Sequence, residues 1–145
     1  MFSINIGIDR PINEVFAFLK DIKRAPDWYS AVKKVVPVDG GEVEVGKRYR
    51  FEREIAGRKI ENEVEVAELR DGEALTLKSR SGPTPFTYRY SLSEDGLATS
   101  VKLEGEITGE GLPGILSLAA PFASKAFERG MHDNLATLKR LLERP

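Results

Sequence analysis

The sequence has no cysteine and no glutamine, one histidine and two methionines among its 145 residues. Without cysteine, disulfides, thiolate metal sites and thiol nucleophiles are excluded. A lone histidine leaves no material for the multi-histidine sets that hold zinc or non-haem iron, so no metal and no cofactor is expected. Nor is there an excess of one charge: 22 Lys and Arg stand against 23 Asp and Glu, for a net charge of −1. These charges are interleaved along the chain, which leaves no basic stripe for nucleic acid. Long apolar runs are also missing. The stretch from Leu112 to Ser124, broken by Pro113 and Pro121, is too short for a bilayer, so no integral membrane segment is expected. Met1-Phe2-Ser3-Ile4 lacks the basic and apolar regions of a secretory signal, and a cytoplasmic location is the expectation.

What is present is 41% apolar and 31% charged residues, the make-up of a globular protein, and residues 1–145 read as one domain. Phe2, Ile4, Ile6 and Ile8 alternate with polar residues as a half-buried strand. Pro11 suits the first turn of a helix whose apolar stripe is Ile12, Val15, Phe16, Leu19 and Ile22. Pro26 interrupts that stripe, and a short second helix or turn carries Trp28 and Tyr29. A short apolar strand over Val35 to Val38 ends at Asp39-Gly40-Gly41.

Two long alternating runs then flank Ala56-Gly57-Arg58, with Tyr49, Phe51, Arg53 and Ile55 on one face and Ile60, Asn62, Val64 and Val66 on the same side. Setting Glu54 opposite Lys59, Arg50 opposite Glu63 and Arg48 opposite Glu65 gives favourable cross-strand charges, and that register is preferred. Three more strands follow, with inner rows Leu75-Leu77-Ser79, Phe86-Tyr88-Tyr90-Leu92 and Thr99-Val101-Leu103-Gly105-Ile107. Phe127, Met131, Leu135, Leu138 and Leu142 then repeat at helical spacing to the end. Pro121 should start or kink that helix, with a separate turn or short helix before it.

This order resembles the START-like (SRPBCC) superfamily of helix-grip proteins, and within it the polyketide cyclase/dehydrase-like branch. The matching features are the opening strand, Pro11 with Val15-Phe16 and Leu19, Asp21, Pro26-Asp27-Trp28, Val45-Gly46, Tyr88-Arg89-Tyr90, Asn134-Leu135 and Leu138-Lys139. The resemblance implies an α+β helix-grip fold, a curved seven-stranded antiparallel sheet around a long C-terminal helix. Two short helices follow the first strand, and an apolar cavity lies between sheet and helix. The residue pattern agrees, since one apolar sheet face needs cover and a single long amphipathic helix remains to cover it. One helix cannot fill such a concavity at full packing density, so a pocket is expected.

Arg53 and Asn62 are the most informative inward residues. A guanidinium in an apolar interior needs a carboxylate, water or a ligand as partner. Arg53 suits the carboxylate, phosphate or polarised carbonyl of a ligand, with Asn62 orienting the same group. Tyr49, Tyr88 and Tyr90 present rings and hydroxyls to the same interior. Phe51, Phe86, Phe127 and Met131 complete the expected ligand-binding lining, with Phe122 at the cavity mouth and Trp28 either beside it or packed into the core at one end of the fold. His132 reads as a surface residue within pairing reach of Glu128, and Gly130 either as a position that leaves room for a ligand or a close strand or as a tolerated defect in the helix. No catalytic residue is assigned.

The leading functional expectation is the binding, or transport, of a hydrophobic small molecule such as a lipid, an isoprenoid quinone or a polyketide-like aromatic. A metal-free cyclase or dehydratase using Tyr88, Tyr90 or Arg53 is the enzymatic alternative. A third is a partner-binding module of the co-chaperone kind, using the apolar segment from Leu112 to Phe122. A monomer or weak dimer is expected.

Overall fold

In the computed structural model, which describes residues 1–112 and 114–144, with residues 115, 116, 119 and 120 by their backbone alone, the period-two segments form strands. They are β1 (Phe2–Ile8), β2 (Val32–Pro37), β3 (Arg48–Ile55), β4 (Arg58–Arg70), β5 (Ala74–Ser81), β6 (Phe86–Asp95) and β7 (Ala98–Ile107). All seven join one antiparallel sheet in the order β1-β7-β6-β5-β4-β3-β2. Helix α1 (Ile12–Lys20) follows β1, and a 3-10 helix (Ile22–Asp27) follows α1. A second 3-10 helix (Gly114–Phe122) precedes the long helix α2 (Ala123–Glu143). This is the expected α+β helix-grip arrangement.

Chemistry explains the boundaries. Pro11, extended at φ −61° and ψ 149°, immediately precedes α1; its ring pre-sets the φ that a helix entry needs. Pro121 lies in the second 3-10 helix and α2 begins two residues later, so the proline separates the two segments. The second strand runs over Val32–Pro37 and not over Val35 to Val38. Val38 is 46% exposed and lies just outside, although its N–H still donates to the Arg48 carbonyl at 3.0 Å.

The β3–β4 hairpin turns on Ala56 and Gly57, at φ 49° and 78°, the signature of a two-residue turn that matches strand twist. Its register places Glu54 opposite Lys59, Arg50 opposite Glu63 and Arg48 opposite Glu65, as the charges require. The ion pairs themselves are partly diagonal. Arg48 reaches both Glu63 and Glu65, at 3.7 and 3.8 Å, and Arg50 leans 3.2 Å from Glu61, which offsets the like pair Glu52 and Glu61. Being exposed, each such pair contributes at most about 1 kcal/mol.

The inner sheet face and α2 enclose the core. Tyr90, Phe51, Val64, Val66, Val101 and Leu103 are fully buried from the sheet, and Leu135 and Leu138 from α2. The C-terminal end of α2 is tied to β1 by polar contacts: the Glu143 carboxylate accepts from the Asp9 amide at 2.7 Å and from Lys139 Nζ at 2.7 Å. Lys139 also donates to the Gly7 carbonyl. No described helix is long and apolar enough to cross a membrane.

Candidate functional site

A pocket of about 250 Å³ lies between β2, β3, β6 and the N-terminal half of α2. Its inner wall is buried: Tyr29, Val32, Phe51, Arg53, Phe86, Tyr88, Met131 and Asn134. The exposed residues Ser30, Glu54 and Ala126 form its mouth. The sheet alternation brings Phe51 and Arg53 to the inside of β3 and Phe86 and Tyr88 to the inside of β6, while helical spacing brings Phe127, Gly130, Met131 and Asn134 to one side of α2. A Cβ added to Gly130 would meet nothing within 4 Å, so the missing side chain leaves space here.

Arg53 is 5% exposed. Its Nη1 donates to Asn62 Oδ1 at 2.8 Å and to Thr84 Oγ1 at 2.6 Å, and its guanidinium sits 5.3 Å from the centre of the Phe86 ring. Both hydrogen-bond partners are neutral. Among the described residues no carboxylate lies within ion-pair distance of Arg53, and its other N–H groups have no protein acceptor. Burial accordingly pushes its pKa down.

Asn62 supports Arg53 and lies outside the pocket lining. While Oδ1 accepts from Arg53, Nδ2 donates to the Ser81 and Pro83 carbonyls at 3.1 and 2.7 Å, so both of its amide hydrogens are engaged. That clamp depends on Gly82, at φ 98°, where a Cβ would fall 2.2 Å from the Glu61 carbonyl oxygen and 2.8 Å from Asn62 Nδ2. Only glycine permits so close an approach. Thr84, fully buried at φ 50°, completes the support.

The tyrosines divide. Tyr88 faces the pocket and burial raises its pKa. Its hydroxyl has no protein partner among the described residues, yet no fully buried polar side-chain atom lacks one, so its oxygen touches the pocket space. Tyr90 lies behind the pocket wall, where its hydroxyl pairs with that of Tyr29. Tyr49 opens instead into a separate cleft beside Asp21 and Lys47. There burial and the Asp21 charge raise its pKa, and the Lys47 ammonium lies 5.4 Å from its ring centre.

Trp28 and Phe122 do not form the mouth. Trp28 is 5% exposed and packs edge-on against Tyr29 and Tyr90, at ring separations of 4.1 and 6.0 Å. Phe122 is 79% exposed and outside the pocket lining. His132 is exposed among Lys125, Glu128 and Arg129, on another side of α2.

The sequence reading misses Tyr29 and Asn134, which line the buried pocket wall, and Thr84, which holds Arg53 from outside the lining. Asn134 accepts from the Ser30 amide at 3.0 Å and donates to Met131 Sδ at 3.3 Å; a polar residue on the apolar stripe of α2 was its available signal. For Thr84 the signal was a hydroxyl between two prolines, Pro83 and Pro85. Tyr29, at the end of a 3-10 helix, offered no periodicity. Among the described residues no group of three His, Asp or Glu side chains is placed to hold a metal.

A family model described as polyketide cyclase/dehydrase and lipid transport matches residues 2–143. The fold is similar to that of the Zhui aromatase/cyclase from a Streptomyces species, at 14% identity and TM-score 0.82, covering 99% of this chain and 93% of that one. It is similar also to a protein of Thermus thermophilus, at 18% identity and TM-score 0.79, covering 97% and 94%. A START superfamily protein of Mycobacterium smegmatis aligns at 15% identity and TM-score 0.75, covering 98% and 96%. No curated protein matches the chain. At these identities the structural likeness speaks for the fold alone.

Proposed function

The chain belongs to the polyketide cyclase/dehydrase and lipid transport family, and on that premise we propose that it binds a compact apolar small molecule carrying an acidic or carbonyl head. The observation that carries this reading is Arg53, a buried cation held by two neutral groups on the wall of an otherwise apolar pocket. Keeping a guanidinium in such a place is costly unless an anion or polarised oxygen joins it. Phe51, Phe86, Tyr88 and Phe127 supply ring faces for an aromatic body. A volume of about 250 Å³ favours a ring system of two or three cycles over a long-chain lipid or quinone.

The test is calorimetric titration of 6-methyl-2-naphthoate into the wild-type protein and Arg53→Met. Loss of a charge-assisted contact should weaken binding about tenfold or more, while circular dichroism shows both proteins folded. Equal affinity in the two proteins, or no binding to either, defeats the reading.

A second reading, catalysis of the cyclase or dehydratase type, draws on Tyr29 and Tyr88. Both reach the same pocket, and burial keeps both hydroxyls protonated, which suits proton donation to a carbonyl or a departing hydroxyl. Turnover of a poly-β-carbonyl aromatic precursor that disappears in Tyr88→Phe would favour it over binding alone.

A further inference from the structure

The hydroxyls of Tyr29 and Tyr90 meet behind the pocket, each on a residue no more than 4% exposed. Two hydroxyls carry two protons and share one hydrogen bond, so one proton must go elsewhere. If Tyr29 donates, the proton of Tyr90 is left over. The space beside the pair measures about 10 Å³ and is walled by both tyrosines with Leu19, Ile22, Ala25, Trp28, Leu75 and Leu77, Asp21 being its only charged member. That is at the lower limit of what one water needs, and it offers few polar partners to hold one. If Tyr90 donates, the leftover proton belongs to Tyr29, which lines the pocket. Of the two tyrosines only Tyr29 also borders the larger pocket, so only the second arrangement gives the leftover proton a way out.

We infer that Tyr90 is a positioning residue that commits the Tyr29 hydroxyl to donate into the pocket, so that the site selects a ligand with a second acceptor oxygen away from its acidic head. This rests on the binding reading proposed above. A hydroxyl that already accepts a hydrogen bond is polarised into a better donor, and burial holds both tyrosines protonated. Tyr88, whose hydroxyl has no protein partner among the described residues, lines the same pocket as Arg53 and Tyr29, its ring centre 6.3 Å from that of Tyr29. One wall of the pocket is therefore made of donors. The amide oxygen of Asn134 is already engaged by the Ser30 N–H, so the side-chain oxygen left to accept from an amine on the buried wall is the Tyr88 hydroxyl, away from the position that Tyr29 faces as a donor.

The experiment compares 2-naphthoates bearing methyl, methoxy or amino at C5, C6 or C7, titrated into wild type, Tyr29→Phe and Tyr90→Phe. In wild type one methoxy isomer should bind about fivefold tighter than its methyl counterpart, and an amino group at that same position should gain nothing. Tyr29→Phe should erase the methoxy preference. Tyr90→Phe should raise amino relative to methyl, because Tyr29 is then free to accept. A role for Tyr90 in packing alone would weaken all probes alike and overturn the assignment, as would equal binding of methyl and methoxy isomers in wild type. Failure of every naphthoate to bind overturns the binding reading and this inference with it.

Discussion

The two halves of α2 face the same curved sheet and meet opposite fates. Towards its C-terminus, Leu135 and Leu138 are fully buried in a core that includes Ile8, Phe16, Val101 and Leu103. Towards its N-terminus, Ala126, Phe127, Gly130 and Met131 border open space. Two glycines near the open half differ in what their missing side chains leave. A Cβ on Gly105, in β7 opposite Tyr88, would land 2.4 Å from the Phe2 ring, whereas one on Gly130 would touch nothing. At Gly105 the missing side chain admits a neighbouring ring; at Gly130 it leaves open space. The general expectation that one helix cannot fill the sheet holds for the second half alone.

The largest test of this contrast is Leu138→Ala. A fully buried leucine removed from a close-packed core should cost about 2–5 kcal/mol, read as a lowered urea midpoint, with naphthoate affinity of the folded protein unchanged. Gly105→Ala comes next. Its new methyl must displace the Phe2 ring, a strain of about 1–3 kcal/mol, and a thermal melt unaltered by it would show the Phe2 ring to be less tightly packed than described.

Gly130→Ala should move stability the other way, up by as much as about 1 kcal/mol, since alanine is the better helix former and nothing opposes its methyl. Its larger counterpart Gly130→Leu should keep the fold and abolish naphthoate binding by growing into the pocket. Retained binding would mean that the open half is not where the ligand sits. The smallest effect is that of Glu143→Gln at the closed end. The Asp9 amide and Lys139 hold the Glu143 carboxyl below its ordinary range. A depressed folded pKa stabilises at neutral pH and loses that contribution as pH falls through the depressed value. The small difference in melting temperature between wild type and Glu143→Gln should therefore be full at pH 7 and vanish in strong acid.

Much of this fold is legible in the chain. Period-two rows such as Phe86-Tyr88-Tyr90 and turn signals such as Ala56-Gly57 are local, and the charges on β3 and β4 define even their register. The partition of the interior is not local. Alternation places Tyr49, Tyr88 and Tyr90 on the concave side, yet they occupy three different surroundings. Where along the curve a side chain sits depends on what α1, α2 and the 3-10 helices bring against it. Arg53 was visible as an anomaly of charge, while its supports were not. Thr84 lies in an irregular loop, and the amide of Asn62 is consumed by carbonyls distant in sequence.

The shift of register between Val32 and Lys34 has a consequence for the chain in a crowded solution. An open sheet leaves two outer strands whose free backbone groups invite a second molecule to add on, the first step toward aggregation. Along β2 the bulge, the exposed cations Lys33 and Lys34 and the terminal Pro37 make a poor template for such addition. Along β1 the side chains of Lys139 and Glu143 occupy the Gly7 carbonyl and the Asp9 amide. Each border of the sheet is thus guarded by a different device, one electrostatic and one a covering helix.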